Sequence, residues 1–269
     1  MVDFKIVVPA RHGSSRLPGK PLLEIAGKPM IAHVCARALE AGAEVFLATD
    51  DARIAAAVSD MPVTAVMTRE DHASGTERIA EVAEKLGWAD ATLVVNLQGD
   101  EPLMRPELIR QLAEALAAEP TAQVATLAAP IEDPSDVFDP HAVKVVLDRH
   151  GHALYFSRAP IPWHRASFGQ TDRAAAADYP WLRHIGIYAY TAGFLRRYVG
   201  WPPSTLEAVE ALEQLRILWQ GERIRVVPID SVPHPGVDTE ADLKRVANIM
   251  AGSDDSSHSR PIDHLMTDQ

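Results

Sequence analysis

The chain has a single cysteine, Cys35, in 269 residues. One thiol closes no internal disulfide and builds no cysteine-based zinc site. No apolar run approaches the ~18 residues that a membrane-spanning helix needs. Positive charge is scarce: 26 Lys and Arg stand against 37 Asp and Glu, a formal net charge of −11. That balance excludes a general nucleic-acid binder, which carries a basic stripe or patch. Internal repeats are absent. The opening Met1-Val2-Asp3-Phe4-Lys5 lacks the charged stretch and apolar run of a secretory signal, so the cytoplasm is the expected location. What is present is ordinary for a folded enzyme-sized protein: 47% hydrophobic and 23% charged residues. The length suits one large domain or two closely joined ones.

The first 130 residues alternate between strand and helix patterns. Phe4–Val8 is a short β-branched run stopped by Pro9, the pattern of a strand buried on both faces. Pro29 suits the first turn of a helix through Met30, Ile31, Val34 and Ala38, stopped at Gly42. Strands are predicted at 44–49, 63–67 and 92–97, with a short Ala-rich helix after Asp51, a helix from Thr76 to Leu86 and another opened by Pro106. This spacing predicts right-handed βαβ units and a doubly wound, mostly parallel α/β sheet. Ligands of such sheets sit beyond the carboxyl ends of the strands, so segments 9–20, 67–76 and 98–102 are expected to meet there.

The middle of the chain differs. His150-Gly151 between 143–148 and 153–156 predicts an antiparallel hairpin, and 184–190 and 223–229 read as further strands. Segment 165–180, with four alanines at its centre, has no period and is expected to be a mobile loop. Ser204 and Glu207 form a capping box for one helix with Leu206, Val209, Leu212 and Leu215 as its apolar stripe, closed by Gly221. A last helix spans 240–250, and the Ser/Asp-rich residues from 252 onward are expected to fray.

The segment 9–21, PARHGSSRLPGKP, carries three strong cations and no acid in an acidic protein. After a strand, such a loop wraps an anion with backbone N–H groups, arginine forks and a lysine point charge. Five residues separate Gly13 from Gly19, and Pro21 stands where a P-loop has Ser or Thr, so this is not a P-loop. Gln98-Gly99-Asp100-Glu101-Pro102 follows an uncharged strand. On position alone Asp100 suits either a turn cap or a carboxylate holding Mg²⁺. Asp238, before the last helix, suits either an N-cap or a second ligand. Glu213 and Gln214 suit a solvated helix face or a reader of hydroxyls. His184 and Tyr188, four apart on a strand, share a face as packed side chains or as a pocket wall.

PARxxSxRLPGKP at 9–21, TRxDHxSGTER at 68–78 and VNxQGDEP at 95–102 together resemble the sugar-acid cytidylyltransferases. Supporting stretches at 142–146, 153–158, 183–188, 212–216 and 236–239 place the resemblance closest to the branch that activates 3-deoxy-manno-octulosonate (Kdo). The resemblance implies a Mg²⁺-dependent reaction of CTP with Kdo, giving CMP-Kdo and pyrophosphate for lipopolysaccharide assembly. It implies that Arg11, Ser15, Arg16 and Lys20 hold the triphosphate, with Arg69, Ser74 and Gly75 on the cytidine side and Gln98 near both substrates. Asp100 and Asp238 become the magnesium ligands, and Arg11, Lys20, Asp100 and Asp238 the catalytic set. Gln98, Arg158, His184, Tyr188, Glu213 and Gln214 become the sugar pocket. It further implies a homodimer, and a division into a nucleotide-binding part (1–130), an inserted sugar-binding and dimerisation subdomain (131–230), a return to the main domain (231–251) and a disordered tail (252–269).

Overall fold

In the first strand, β1 (Lys5–Ala10), the residues Ile6, Val7 and Val8 are completely buried. Successive side chains of a strand point to opposite faces. Ile6 and Val8 therefore enter one core and Val7 another, as a central strand covered on both sides requires. A computed structural model describes residues 2–13, 17–168 and 179–252; Ser15 and Arg16, most of the 165–180 loop and the tail from 253 lie outside the described residues.

After β1 come β2 (Glu24–Ile25), β3 (Lys28–Pro29), α1 (Met30–Glu40), β4 (Glu44–Thr49), α2 (Ala52–Ala56), β5 (Val63–Met67) and α3 (Gly75–Lys85). Then follow β6 (Leu93–Asn96), α4 (Pro106–Ala117), β7 (Val124–Pro130), β8 (Lys144–Leu147), β9 (Ala153–Ser157) and β10 (Leu182–Thr191). The remainder is α5 (Ala192–Tyr198), α6 (Thr205–Glu210), α7 (Gln214–Trp219), β11 (Ile224–Pro228) and α8 (Glu240–Met250). The main sheet runs β11-β7-β10-β6-β1-β4-β5, with the β8–β9 hairpin attached to β10. Pairs β6–β1, β1–β4, β4–β5 and β11–β7 are parallel; β10 is antiparallel to β6, β7 and β8. Helices α1 and α4 supply the core on one face, and α3, α5 and α7 that on the other. The doubly wound, mostly parallel α/β fold is the one the sequence predicts, and the antiparallel hairpin joins the same sheet through β10.

This topology positions the site in two ways. Parallel strands β1, β4 and β6 release their loops at one edge. Because β10 runs the other way, its beginning reaches that same edge, with Tyr188 opposite Asn96 at the end of β6. A small third core, of Leu17, Ile25, Met30, Val237 and Val246, packs the loop after β1 onto α8 and the segment leading into it. Each aliphatic side chain fully buried there is worth about 1.5–3 kcal/mol. That core is what carries α8 back to the loop after β1.

One prediction from periodicity is corrected. The helix expected over 204–221 is two short helices, α6 and α7, broken at Ala211, whose φ of 52° is left-handed. The apolar stripe fails at Val209, which is 85% exposed. Long-range hydrogen bonds fix the break: Arg158 Nε donates to Glu210 O at 2.7 Å and its Nη2 to Ala211 O at 3.4 Å. The Glu210 carboxylate in turn accepts from the Ser157 hydroxyl at 2.6 Å and from the Arg158 N–H at 3.0 Å. Short-range pattern carries no trace of these partners. The capping box of Ser204 and Glu207 is formed as predicted.

Close approach of the β1 and β6 loops depends on Gly99, where a Cβ would lie 2.7 Å from the carbonyl oxygen of Pro9. Backbone there has nowhere to yield. Gly99→Ala is expected to cost about 1–3 kcal/mol in denaturant-induced unfolding and to depress activity further by spreading the two loops.

Candidate active site

The loops after β1, β5 and β6 enclose a cavity of ≈ 320 Å³ at the carboxyl edge, walled by Arg11, Lys20, Ser74, Gly75, Gln98, Asp100 and Asp238 among others. A second cavity of ≈ 280 Å³ adjoins it, lined by His184, Tyr188, Glu213 and Gln214 with Asn96 and Tyr190. Gly75, Gln98 and Glu213 line both. Strand β6 lies between β1 and β10, so Gln98, just past its end, stands on the seam between the two chambers.

Lys20 is the focus of the first chamber. Its ammonium donates to Asp100 Oδ2 at 2.7 Å, Val237 O at 2.8 Å and Asp238 Oδ1 at 3.0 Å. Burial works against its charge, but Asp100 and then Asp238 outweigh that, and its pKa lies above the ordinary lysine value. All three of its donors have protein acceptors, so a phosphate contact exchanges one of these bonds. Val237 N–H donates to Asp100 O at 2.9 Å, tying the two aspartate-bearing segments together. Glu101, beside them, is pushed up to about 8 by burial and by the charges of Asp100 and Asp238, so it is mostly neutral at physiological pH.

The ammonium marks a point on which two carboxylates converge. Such hard oxygen donors suit Mg²⁺, which binds through one or two carboxylates and takes its other oxygens from substrate and water. Among the described residues no group of three or more His, Cys, Asp or Glu is placed to hold a metal. The N-terminus of α3 also opens onto this chamber. Ser74 is its N-cap, accepting from Glu77 N–H at 3.3 Å, and the unpaired N–H groups of a helix start favour phosphate.

In the second chamber, His184 Nε2 lies 2.9 Å from Tyr188 Oη and 3.1 Å from Thr126 Oγ1. Desolvation lowers its pKa to about 3, so the ring is neutral, and its tautomer sets which of Nε2 and the tyrosine hydroxyl donates. Burial raises Tyr188 and also raises Glu213 above the usual carboxylate range. Oδ1 of Asn96 and Nε2 of Gln214 are buried without hydrogen-bond partners, an arrangement that costs about 1–3 kcal/mol per group until something fills it.

Most residues singled out in the sequence thus come together: Arg11, Lys20, Ser74, Gly75, Gln98, Asp100 and Asp238 around one chamber, Gln98, His184, Tyr188, Glu213 and Gln214 around the other. Two stand apart. Arg69 is exposed, paired with Asp71 at 3.2 Å, and off the cavity wall. Arg158 bonds the carbonyls of Pro140, Glu210 and Ala211 behind the second chamber rather than lining it. Ser15 and Arg16 lie outside the described residues. The structure adds His72 and Arg78 to the first wall and Asn96, Tyr190 and Tyr198 to the second. His72, Arg78 and Asn96 sit inside the motifs at 68–78 and 95–102; the tyrosines carried no such signal.

A chamber of basic and carboxylate side chains at the carboxyl edge of a doubly wound sheet, joined to a second polar chamber, has the chemistry that a nucleotidyltransferase requires. A family model described as cytidylyltransferase matches residues 5–224, and the chain belongs to that family. The 3-deoxy-manno-octulosonate cytidylyltransferase of Methylococcus capsulatus is 64% identical over 93% of this chain and 98% of its own length. That of Yersinia enterocolitica is 56% identical over 93% and 99%. Among solved structures, CMP:2-keto-3-deoxy-manno-octonic acid synthetase complexed with CTP superposes with a TM-score of 0.84 at 45% identity, covering 94% of this chain and 100% of that one.

His184 makes stability depend on pH. Its folded-state value of about 3 lies below the ~6.5 of an unfolded histidine. Between those values the unfolded chain binds more protons, so stability present above pH 6.5 is lost as pH falls toward 3. His184→Gln is expected to flatten that loss by at most about 1.4 kcal/mol per pH unit. Urea midpoints of both proteins at pH 7, 6 and 5 measure it; parallel curves count against the assignment.

Proposed function

We propose that this chain is a CTP:3-deoxy-manno-octulosonate cytidylyltransferase, joining CTP and Kdo into CMP-Kdo with release of pyrophosphate. The observation that carries the reading is the pair of chambers meeting at Gln98, one built of cations and carboxylates, the other of hydroxyls, amides and a neutral imidazole. Family membership and two Kdo-specific relatives support the choice of both substrates.

The reaction forms a bond between the anomeric oxygen of Kdo and the α-phosphorus of CTP and breaks the bond from that phosphorus to pyrophosphate. Positioning and charge neutralisation are the main demands of such a transfer. Two anions must also be brought together, and at ~4 Å and an effective dielectric near 20 each unpaired like-charge contact costs about 4 kcal/mol. Arg11 and Lys20 offset the triphosphate, with Ser15 and Arg16 assigned to the same task by their motif. Ser74 and Gly75 take the cytidine side, to which Arg69 is assigned by its motif alone. Asp100 and Asp238 would hold Mg²⁺, which when bound would neutralise the phosphates and sharpen the electrophilic phosphorus. Gln98 keeps the acceptor oxygen in line with the phosphorus. His184, Tyr188, Glu213 and Gln214 bind the sugar, and Arg158 secures the turn that presents Glu213 and Gln214.

The wider reading follows the same assignment. Residues 1–130 and 231–251 serve the nucleotide, 131–230 the sugar and a homodimer contact, and the product feeds lipopolysaccharide assembly from the cytoplasm. Among the described residues no helix is long and apolar enough to cross a membrane.

Purified protein with CTP, Mg²⁺ and Kdo is expected to release pyrophosphate and CMP-Kdo in equal amounts; folded protein that releases neither overturns the assignment. Lys20→Ala removes a charge-assisted contact worth about 1.5–3 kcal/mol and is expected to lower turnover roughly 10–150-fold. Asp100→Asn is expected to abolish Mg²⁺-dependent turnover at ordinary metal concentrations, whereas retention of full activity would remove Asp100 from the metal site.

A further inference from the structure

Asn96 closes β6 as the residue paired with Tyr188 of β10. It is 2% exposed and lines the second chamber. Its side chain bonds Tyr190, while its Oδ1 is buried without a partner. Gln214, 7% exposed, lines the same chamber from α7 and has its Nε2 buried without a partner. One wall thus offers an unused acceptor and the other an unused donor.

The chemistry of these two atoms restricts what fills them. A carbonyl oxygen accepts only and an amide nitrogen donates only. A carboxylate or phosphate has no proton for Asn96 Oδ1, and Glu213 beside Gln214 repels an anion further. An ammonium has no lone pair for Gln214 Nε2. Hydroxyl groups answer both. We propose that Asn96 is a specificity-determining residue whose Oδ1 accepts from a hydroxyl of the sugar acid, with Gln214 donating to the same or a neighbouring hydroxyl. The sugar's polyol side therefore faces Asn96 and Gln214, and its carboxylate faces away from them. The proposal rests on the second chamber being the sugar site.

A site built around a hydroxyl discriminates sharply against the analogue lacking it, because its buried polar group is then left unpaired. That consequence separates a reading role from a merely structural one. Steady-state kinetics would be measured for the wild type and Asn96→Ala with Kdo and with its 4-, 5-, 7- and 8-deoxy analogues. For wild type, one of the four analogues is expected to lose roughly 10–100-fold in kcat/KM. For Asn96→Ala, Kdo itself loses a similar factor, its KM rising while the KM for CTP stays within about twofold, and that one analogue loses nothing further. If every analogue loses as much on the variant as on the wild type, or if the KM for CTP rises in step with that for Kdo, the proposal is overturned. Should Asn96→Ala not fold, Asn96→Leu, nearly isosteric and apolar, carries the same comparison. Wild-type protein that makes no CMP-Kdo fails the functional assignment instead, before any variant is made.

Discussion

A lysine ammonium held between two carboxylates joins three stretches of this chain that are far apart in sequence. Lys20 comes from the loop after the first strand, Asp100 from the turn after β6, and Asp238 from the approach to the last helix. Two aspartates brought this close repel one another, and the pKa of the neighbouring Glu101 is pushed up to about 8 by burial first and by their charges second. A cation at the centre turns that repulsion into attraction. The chamber walls, the tight packing at Gly99 and Gly236, and the small apolar core behind Lys20 all serve to hold this point in place.

The second constraint is the direction of β10. A wholly parallel sheet would bring only βα loops to the carboxyl edge. By running antiparallel to β6, β10 places His184 and Tyr188 beside the end of the strand that also supplies Gln98. The two chambers share a wall because the strands that serve them are neighbours. The placement of one chamber against the other is therefore a property of sheet order.

Much of this was legible in the sequence, and the failures have physical causes. Strand and helix patterns over the first 130 residues are strong because both faces of the sheet are buried. Period and punctuation then report structure directly, as at Gly42, although β1 runs on through Pro9 to Ala10 where a stop was expected. Lys20, Asp100 and Asp238 were legible only as motifs, since nothing local tells a metal ligand from a turn cap; the third core, which joins them, is a long-range feature. The break at Ala211 was invisible because its cause is a guanidinium fifty residues upstream. Arg158 was assigned to the sugar pocket by resemblance, and its guanidinium bonds the backbone carbonyls of Pro140, Glu210 and Ala211. Asn96 lay inside a recognised motif without a role, because an asparagine ending a strand looks like any other until its unpaired oxygen is located. Arg69 illustrates the converse: membership of a motif did not bring its side chain onto the wall.

The dependence of the first loop on α8 has a consequence for the chain's birth. Val237 and Val246 complete the core beneath Lys20, and Asp238 completes its ring of acceptors. Domains form from the N-terminus while the ribosome is still at work, so the sheet can assemble before α8 packs beneath the β1 loop. A nascent polypeptide nonetheless lacks one of the two carboxylates until residue 238 has left the exit tunnel. Translation order thus brings Asp238 to Lys20 only when α8 docks.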